Sequence, residues 1–242
     1  MKTIEVCTDL AQIGLWDSCS TCNSLSKLRY NEYRDVIEQK AQSGELFFID
    51  TDGDGFWNIG ILIEASIEND SYYKKVDGHF ELSSPSQKIT LSGLEDYGEE
   101  PDLDSEFIFE LPFKNSKLSI YQYLYAFDEE KEMEQISKIV GAEKMKLYES
   151  KNGLGCSYAC LSILVGVVLF FISWLYFVAS ILIALAIFFI IENKHDQDPV
   201  YSEVAKAIEE WQNKHPHWII NFEKIDSVQK SDGWFKETEI EE

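Results

Sequence analysis

The chain is poor in the residues that metal and nucleophile chemistry draws on, with four histidines and five cysteines in 242 residues. It has no G-x-S-x-G, no phosphate-cradling glycine loop and no H-E-x-x-H. Nothing in it therefore raises the expectation of catalysis, and it reads as a non-enzyme without a cofactor. The cysteines are odd in number (Cys7, Cys19, Cys22, Cys156, Cys160), which fits a reducing compartment better than a disulfide framework. An export signal is missing too. Glu5 and Asp9 break any apolar run near the start, so the N-terminus is expected to begin in the cytoplasm. Basic residues are scarce, 21 Lys+Arg against 43 Asp+Glu, for a net charge of −22. Such a surface repels nucleic-acid phosphates and anionic lipid headgroups alike, so nucleic acid is excluded as a partner and cationic partners are favoured.

Charge is itself absent from one stretch. Residues 158–191 carry none, while residues 1–157 carry −15 and residues 192–242 carry −7. More than 18 apolar residues without charge predict membrane insertion. Those 34 residues would form a single helix of about 51 Å, against a hydrocarbon core of about 30 Å. A transmembrane helical hairpin with arms Gly155–Ile172 and Leu175–Ile191 fits better than one tilted span. It puts Trp174 and Tyr176 at the far interface, where amphipathic rings prefer to sit. The chain then divides into an acidic β-rich domain over 1–152, a membrane segment over 153–191 and an acidic tail over 192–242 docked on the first domain. Both soluble parts are then expected on one side of a membrane, facing the cytoplasm.

The soluble parts have strand and helix texture. GELFFID (44–50) and FWNIGILIE (56–64) flank an Asp/Gly-rich connection and predict a hairpin. Further strands are expected at 72–76, 79–82, 88–91, 106–111 and 117–127. One helix should start near Asn31 and stop at Gly44, with Tyr33, Val36, Ile37 and Ala41 on one face, and a second should run from Asp128 to about Tyr148. In the tail, Asp198 caps a helix with Pro199 in its first turn and a stripe of Val200, Val204, Ile208 and Trp211; WIINF (218–222) should be a strand. The predicted class is α+β: an antiparallel, sandwich-like β-rich domain with a few helices, plus the transmembrane hairpin before a helix–strand tail.

Three constellations bear on ligands. Asp50-Thr51-Asp52-Gly53-Asp54-Gly55 matches the first half of a calcium loop, but the twelfth position, a bidentate Glu in such loops, is Ile61 and the flanks are strands. A solvated turn explains every residue, leaving Asp50, Asp52 and Asp54 as weak metal candidates. Cys19-x-x-Cys22 lacks a second ligand pair for zinc, and Cys156 and Cys160 are juxtamembrane thiols open to acylation. His215-Pro216-His217 points its rings apart, because proline holds the chain extended. The densest acid lies in EDYGEEPDLDSE (95–106), seven acidic residues in twelve positions. Glu95, Asp96, Glu99, Glu100, Asp102 and Asp104 would steer a basic partner, with Tyr97 as an aromatic anchor among them.

HFELSSPSQKITLSGLEDY (79–97), EFIFELPFKNSKLSIYQYLYAF (106–127) and GELFFIDTDGDGFW (44–57) resemble the strands of an uncharacterised β-sandwich domain over about half the chain. Small acidic proteins of this texture are similar to the immunity proteins encoded beside secreted antibacterial toxins, those of type VI secretion included. The resemblance implies an immunity protein anchored in a bacterial inner membrane that occludes a cognate cationic toxin. A structural or calcium-sensing membrane protein is the alternative, and an enzyme acting on lipid at the bilayer surface is a third.

Overall fold

The computed structural model describes residues 1–9, 11–19, 30–51, 53–67, 70–97, 107–126, 128–152, 174, 178, 181–183, 185–186 and 198–236. The chain forms two compact units: residues 1–127 with 215–242, and residues 128–214.

The first unit holds two sheets. Strands β1 (Lys2–Thr8), β4 (Gly55–Ile63), β10 (Trp218–Lys224), β9 (Asn115–Tyr123) and β5 (Tyr73–Lys75) form one in that order, with β6 (Phe80–Ser83) also paired to β9. The other runs β11 (Trp234–Lys236), β3 (Leu46–Asp50), β2 (Gln12–Asp17), β7 (Lys88–Gly93), β8 (Ile108–Glu110). Ile4, Val6, Ile59, Ile120 and Trp218 from the first sheet and Ile13, Leu15, Phe47, Ile49 and Leu91 from the second share one buried core. Helix α1 (Tyr30–Gln42) presents Ile37 and Ala41 to the other face of the second sheet, where Leu46, Phe48, Trp16 and Leu94 wait. This explains the unbroken apolar run of β3. Its odd and even residues are both buried, one set against the sandwich core and one against the helix.

Three sequence expectations change here. The hairpin over 44–64 does not form: β3 pairs with β2 and β11, β4 with β1 and β10. The connection instead carries the chain from one sheet to the other. Thr51 anchors that corner, its N–H donating to Ala11 O at 2.8 Å and its Oγ1 to Gly53 O at 2.9 Å. The sheets are also mixed rather than antiparallel, since β10 lies parallel to β4 and β11 parallel to β3. Parallel pairing needs a long crossover, and the excursion from 128 to 214 supplies one for β10. Finally, the transmembrane hairpin does not hold. Among the described residues no helix is long and apolar enough to cross a membrane. Most of 153–191 lies outside the described residues; Trp174, Val178, Leu182, Ile183 and Leu185 are helical and exposed. The fold is a mixed α+β arrangement of two sheets and amphipathic helices.

The second unit contains α2 (Glu129–Val140), α3 (Ala142–Asn152) and α4 (Pro199–Lys214). Each carries charge along its length, so none has a window apolar enough to span lipid. The helix expected over 128–148 is two, broken at Gly141, whose φ of 95° leaves the right-handed helical region. Asp128 caps α2 by accepting from Lys131 N at 2.9 Å, and Asp198 caps α4 by accepting from Val200 N at 2.9 Å. Val204 and Trp211 of the expected α4 stripe are buried.

Candidate partner-binding face

Strand β1 alternates. Ile4, Val6 and Thr8 point inward, while Glu5 and Cys7 point out. In its antiparallel register with β4, Glu5 lies opposite Asn58 and Cys7 opposite Phe56. Directly opposed residues share a face of the sheet, so these four form one outward plaque. Trp57, one residue on, packs into the core, which turns Phe56 to solvent. Phe56 is 69% exposed, the most exposed large apolar side chain of the first unit's described residues.

Carboxylates ring this plaque. Asp9 follows β1 and Asp54 precedes β4. Glu95 arrives from the turn after β7, accepting from Asp9 N at 2.9 Å and Thr8 Oγ1 at 3.2 Å. The Cys7 thiol registers them: its pKa is raised by desolvation first, then by the negative charges of Asp9, Glu95, Glu5 and Asp54. A thiol held protonated in an acidic field makes a poor nucleophile. The arrangement offers an apolar ring in a negative frame, suited to recognition rather than covalent chemistry.

Of the sequence-derived partner residues, Glu95 belongs to this face. Asp96 accepts from Ser92 Oγ close by. Tyr97 is 3% exposed and sits edge-on to Trp16 with centroids 5.2 Å apart, so it anchors the acidic segment to the core. Glu99, Glu100, Asp102 and Asp104 lie outside the described residues. Phe56 went unread in the sequence because it sits in a run of core-like residues; only the register with β1 shows which way it points. The alternation of KTIEVCT was the available signal for β1.

The other constellations come apart. Asp50 is half-buried and Asp54 exposed, Asp52 lies outside the described residues, and among the described residues no group of three His, Cys, Asp or Glu could hold a metal ion. Cys19 is a free exposed thiol; Cys22, Cys156, Cys160 and His195 lie outside the described residues. His215 stacks on Tyr123 at 5.7 Å, whereas His217 meets Trp57 edge-on at 5.2 Å and accepts from Asn58 N through Nδ1 at 2.9 Å. His79 pairs with the buried Glu81 at 2.9 Å, whose carboxylate also accepts from Gln229 N at 2.7 Å. That cluster ties down the segment before β11.

No family model matches the chain, and no curated protein does. A solved structure described as crocagin biosynthetic gene J is similar over 53% of this chain and 79% of that one, at 13% identity and a TM-score of 0.38. A likeness of that degree carries no argument about what the chain does.

Proposed function

We propose that the chain is a non-catalytic binding protein that takes a basic protein partner on the face around Phe56. In its specific form, this is the immunity reading: a cognate cationic antibacterial toxin is bound and its active site occluded. The observation that carries the proposal is a bare aromatic ring set among four carboxylates. Interfaces concentrate their affinity in such aromatic anchors, and a charged surround speeds encounter and sets register.

Co-expression with each toxin encoded beside the gene provides the test, scored as survival. Phe56→Ala should weaken binding by about 2 kcal/mol, roughly 30-fold in Kd, through the dissociation rate. Glu95→Lys should slow association, and the effect should shrink as salt is raised, because rim charges act through screened fields. Phe56→Ala should keep the parental melting temperature; Glu95→Lys, which also loses the bonds from Asp9 N and Thr8 Oγ1, should lower it by a few degrees, so its binding is read well below that transition. Failure of the parent to protect against every neighbouring toxin would end the immunity form; unaltered binding by both variants would end the assignment of the face.

A further inference from the structure

The second unit carries a separate feature. Helices α2 and α3 diverge from Gly141 and leave between them an open groove of about 640 Å³. Glu130, Met133, Glu134 and Ser137 line it from α2; Ala142, Met145, Lys146 and Glu149 line it from α3. Both sets follow the i, i+3, i+4, i+7 spacing that marks one face of a helix. The floor is apolar, built on the thioethers of half-buried Met133 and buried Met145. The rim is acidic: Glu129, Glu130, Glu134 and Glu149 against Lys146 alone. Glu134 also meets Lys138 at 3.1 Å, but both side chains are more than half exposed, so solvent screens that pair.

The α3 wall is braced against α4: Tyr148, itself part of the groove lining, stacks on Tyr201 at 4.7 Å, and Lys144 bonds Glu203 at 2.6 Å. Ile136 of α2 is fully buried. The groove is therefore a standing feature of the helix layer rather than a gap awaiting collapse. Its lining spans Glu129–Ser137 of α2 and Ala142–Glu149 of α3, about two helical turns of each.

We propose that this groove receives a basic amphipathic helix of a partner protein. An apolar stripe would enter between the methionines, whose unbranched, polarisable side chains adapt to varied shapes. Lysines or arginines flanking that stripe would meet the glutamate rim. A metal ion is a poor occupant, because the floor offers no hard ligands. The proposal does not depend on the Phe56 face, which lies in the other unit.

The probe is a fluorescein-labelled Leu/Lys peptide of about four helical turns with leucines at helical spacing. Its comparator is an isomer of the same composition with that spacing scrambled. Both are titrated by anisotropy against the full chain at near-physiological salt. The patterned peptide should bind at least about tenfold more tightly than the scrambled one. Glu130→Gln/Glu134→Gln, both exposed, and Met133→Gln should each weaken it several-fold with an unchanged circular dichroism spectrum, while Phe56→Ala leaves it intact. Equal binding of the two isomers, or no binding, overturns the proposal and identifies at most diffuse attraction to a chain of net charge −22. Loss through Phe56→Ala but not through the groove variants places the peptide on the first unit and overturns it as well. So does self-association abolished by Met133→Gln, which would name a second copy of this chain as the occupant.

Discussion

His217 and Trp218 are adjacent and meet opposite demands. Asn58 N–H donates to Nδ1 of His217, a bond that nitrogen can accept only while unprotonated. Burial pushes the imidazole pKa below its ordinary value of 6.5. The unfolded chain thus takes up a proton as pH falls past about 6.5, while the folded chain resists until lower pH. The stability due to neutral His217 is complete above that value and is lost as pH falls through the folded-state pKa. From about pH 7.5 to about pH 5.5, the urea midpoint of the parent should drop relative to that of His217→Gln, which removes the titration. Parallel midpoints would refute this. Trp218 is fully buried in the sandwich, and its Nε1 finds no acceptor among the described residues. Trp218→Ala should cost about 3–5 kcal/mol through the cavity it leaves. Trp218→Phe keeps most of the ring and deletes the unsatisfied donor, so its cost should stay near 1 kcal/mol. A loss for Trp218→Phe as large as that for Trp218→Ala in chemical denaturation would show that relief of the orphaned donor does not offset the missing ring edge.

At the scale of elements, the edge strand β11 depends on one glycine. Gly233 has φ of 79°, and a Cβ there would lie 2.5 Å from the Ala41 carbonyl carbon. Its own carbonyl accepts from Phe48 N at 3.2 Å. Gly233→Ala adds a left-handed backbone cost of about 1 kcal/mol to a clash with the backbone of α1. A total of about 2–3 kcal/mol is expected, with lost hydrogen-exchange protection over 234–236. Gly141→Ala is the internal control. Its φ of 95° is also positive, but nothing lies within 4 Å of the added carbon, so only the backbone cost should appear. If the two variants melt together, the packing of β11 on α1 is looser than these distances require. The N-cap at Asp198 and the start of α4 were legible beforehand, because a capping side chain acts within three residues. The break at Gly141 was not, since a glycine within a helical pattern is compatible with either outcome.

For the whole molecule, the decisive strand is β10. It comes after an excursion of nearly 90 residues and enters between β4 and β9, with Trp218, Ile219, Ile220 and Phe222 all buried. A central strand buried on both faces cannot be removed without exposing the sheets around it. A chain ending at residue 127 should therefore show no cooperative thermal transition, despite containing nine of the eleven described strands. A peptide spanning 215–236, added in trans, should restore one if pairing is the missing element. A sharp transition in the truncated chain alone would contradict this role for β10. Charge also acts at this scale. Self-repulsion in a chain of −22 opposes compaction, so moderate salt should raise the melting temperature of the parent by screening it.

The sequence alone determined what depends on neighbours a few residues apart: the positions of most strands, the start of α2, the cap of α4, the buried stripe of α1, and the net charge of −22. It also carried the alternation of β1 and the divergence of the two histidines across Pro216. Tertiary structure decided what depends on partners far along the chain. The apolar runs of β3 and β4 have identical hairpin texture, yet join different sheets because β3 needs cover on two faces, one of them from α1. Tyr97 turns inward because Trp16 is there to receive it, and Phe56 turns outward because Cys7 stands opposite across the β1–β4 ladder. Whether an aromatic ring anchors the core or a partner is set by register and burial, and both are properties of contacts that no local pattern encodes.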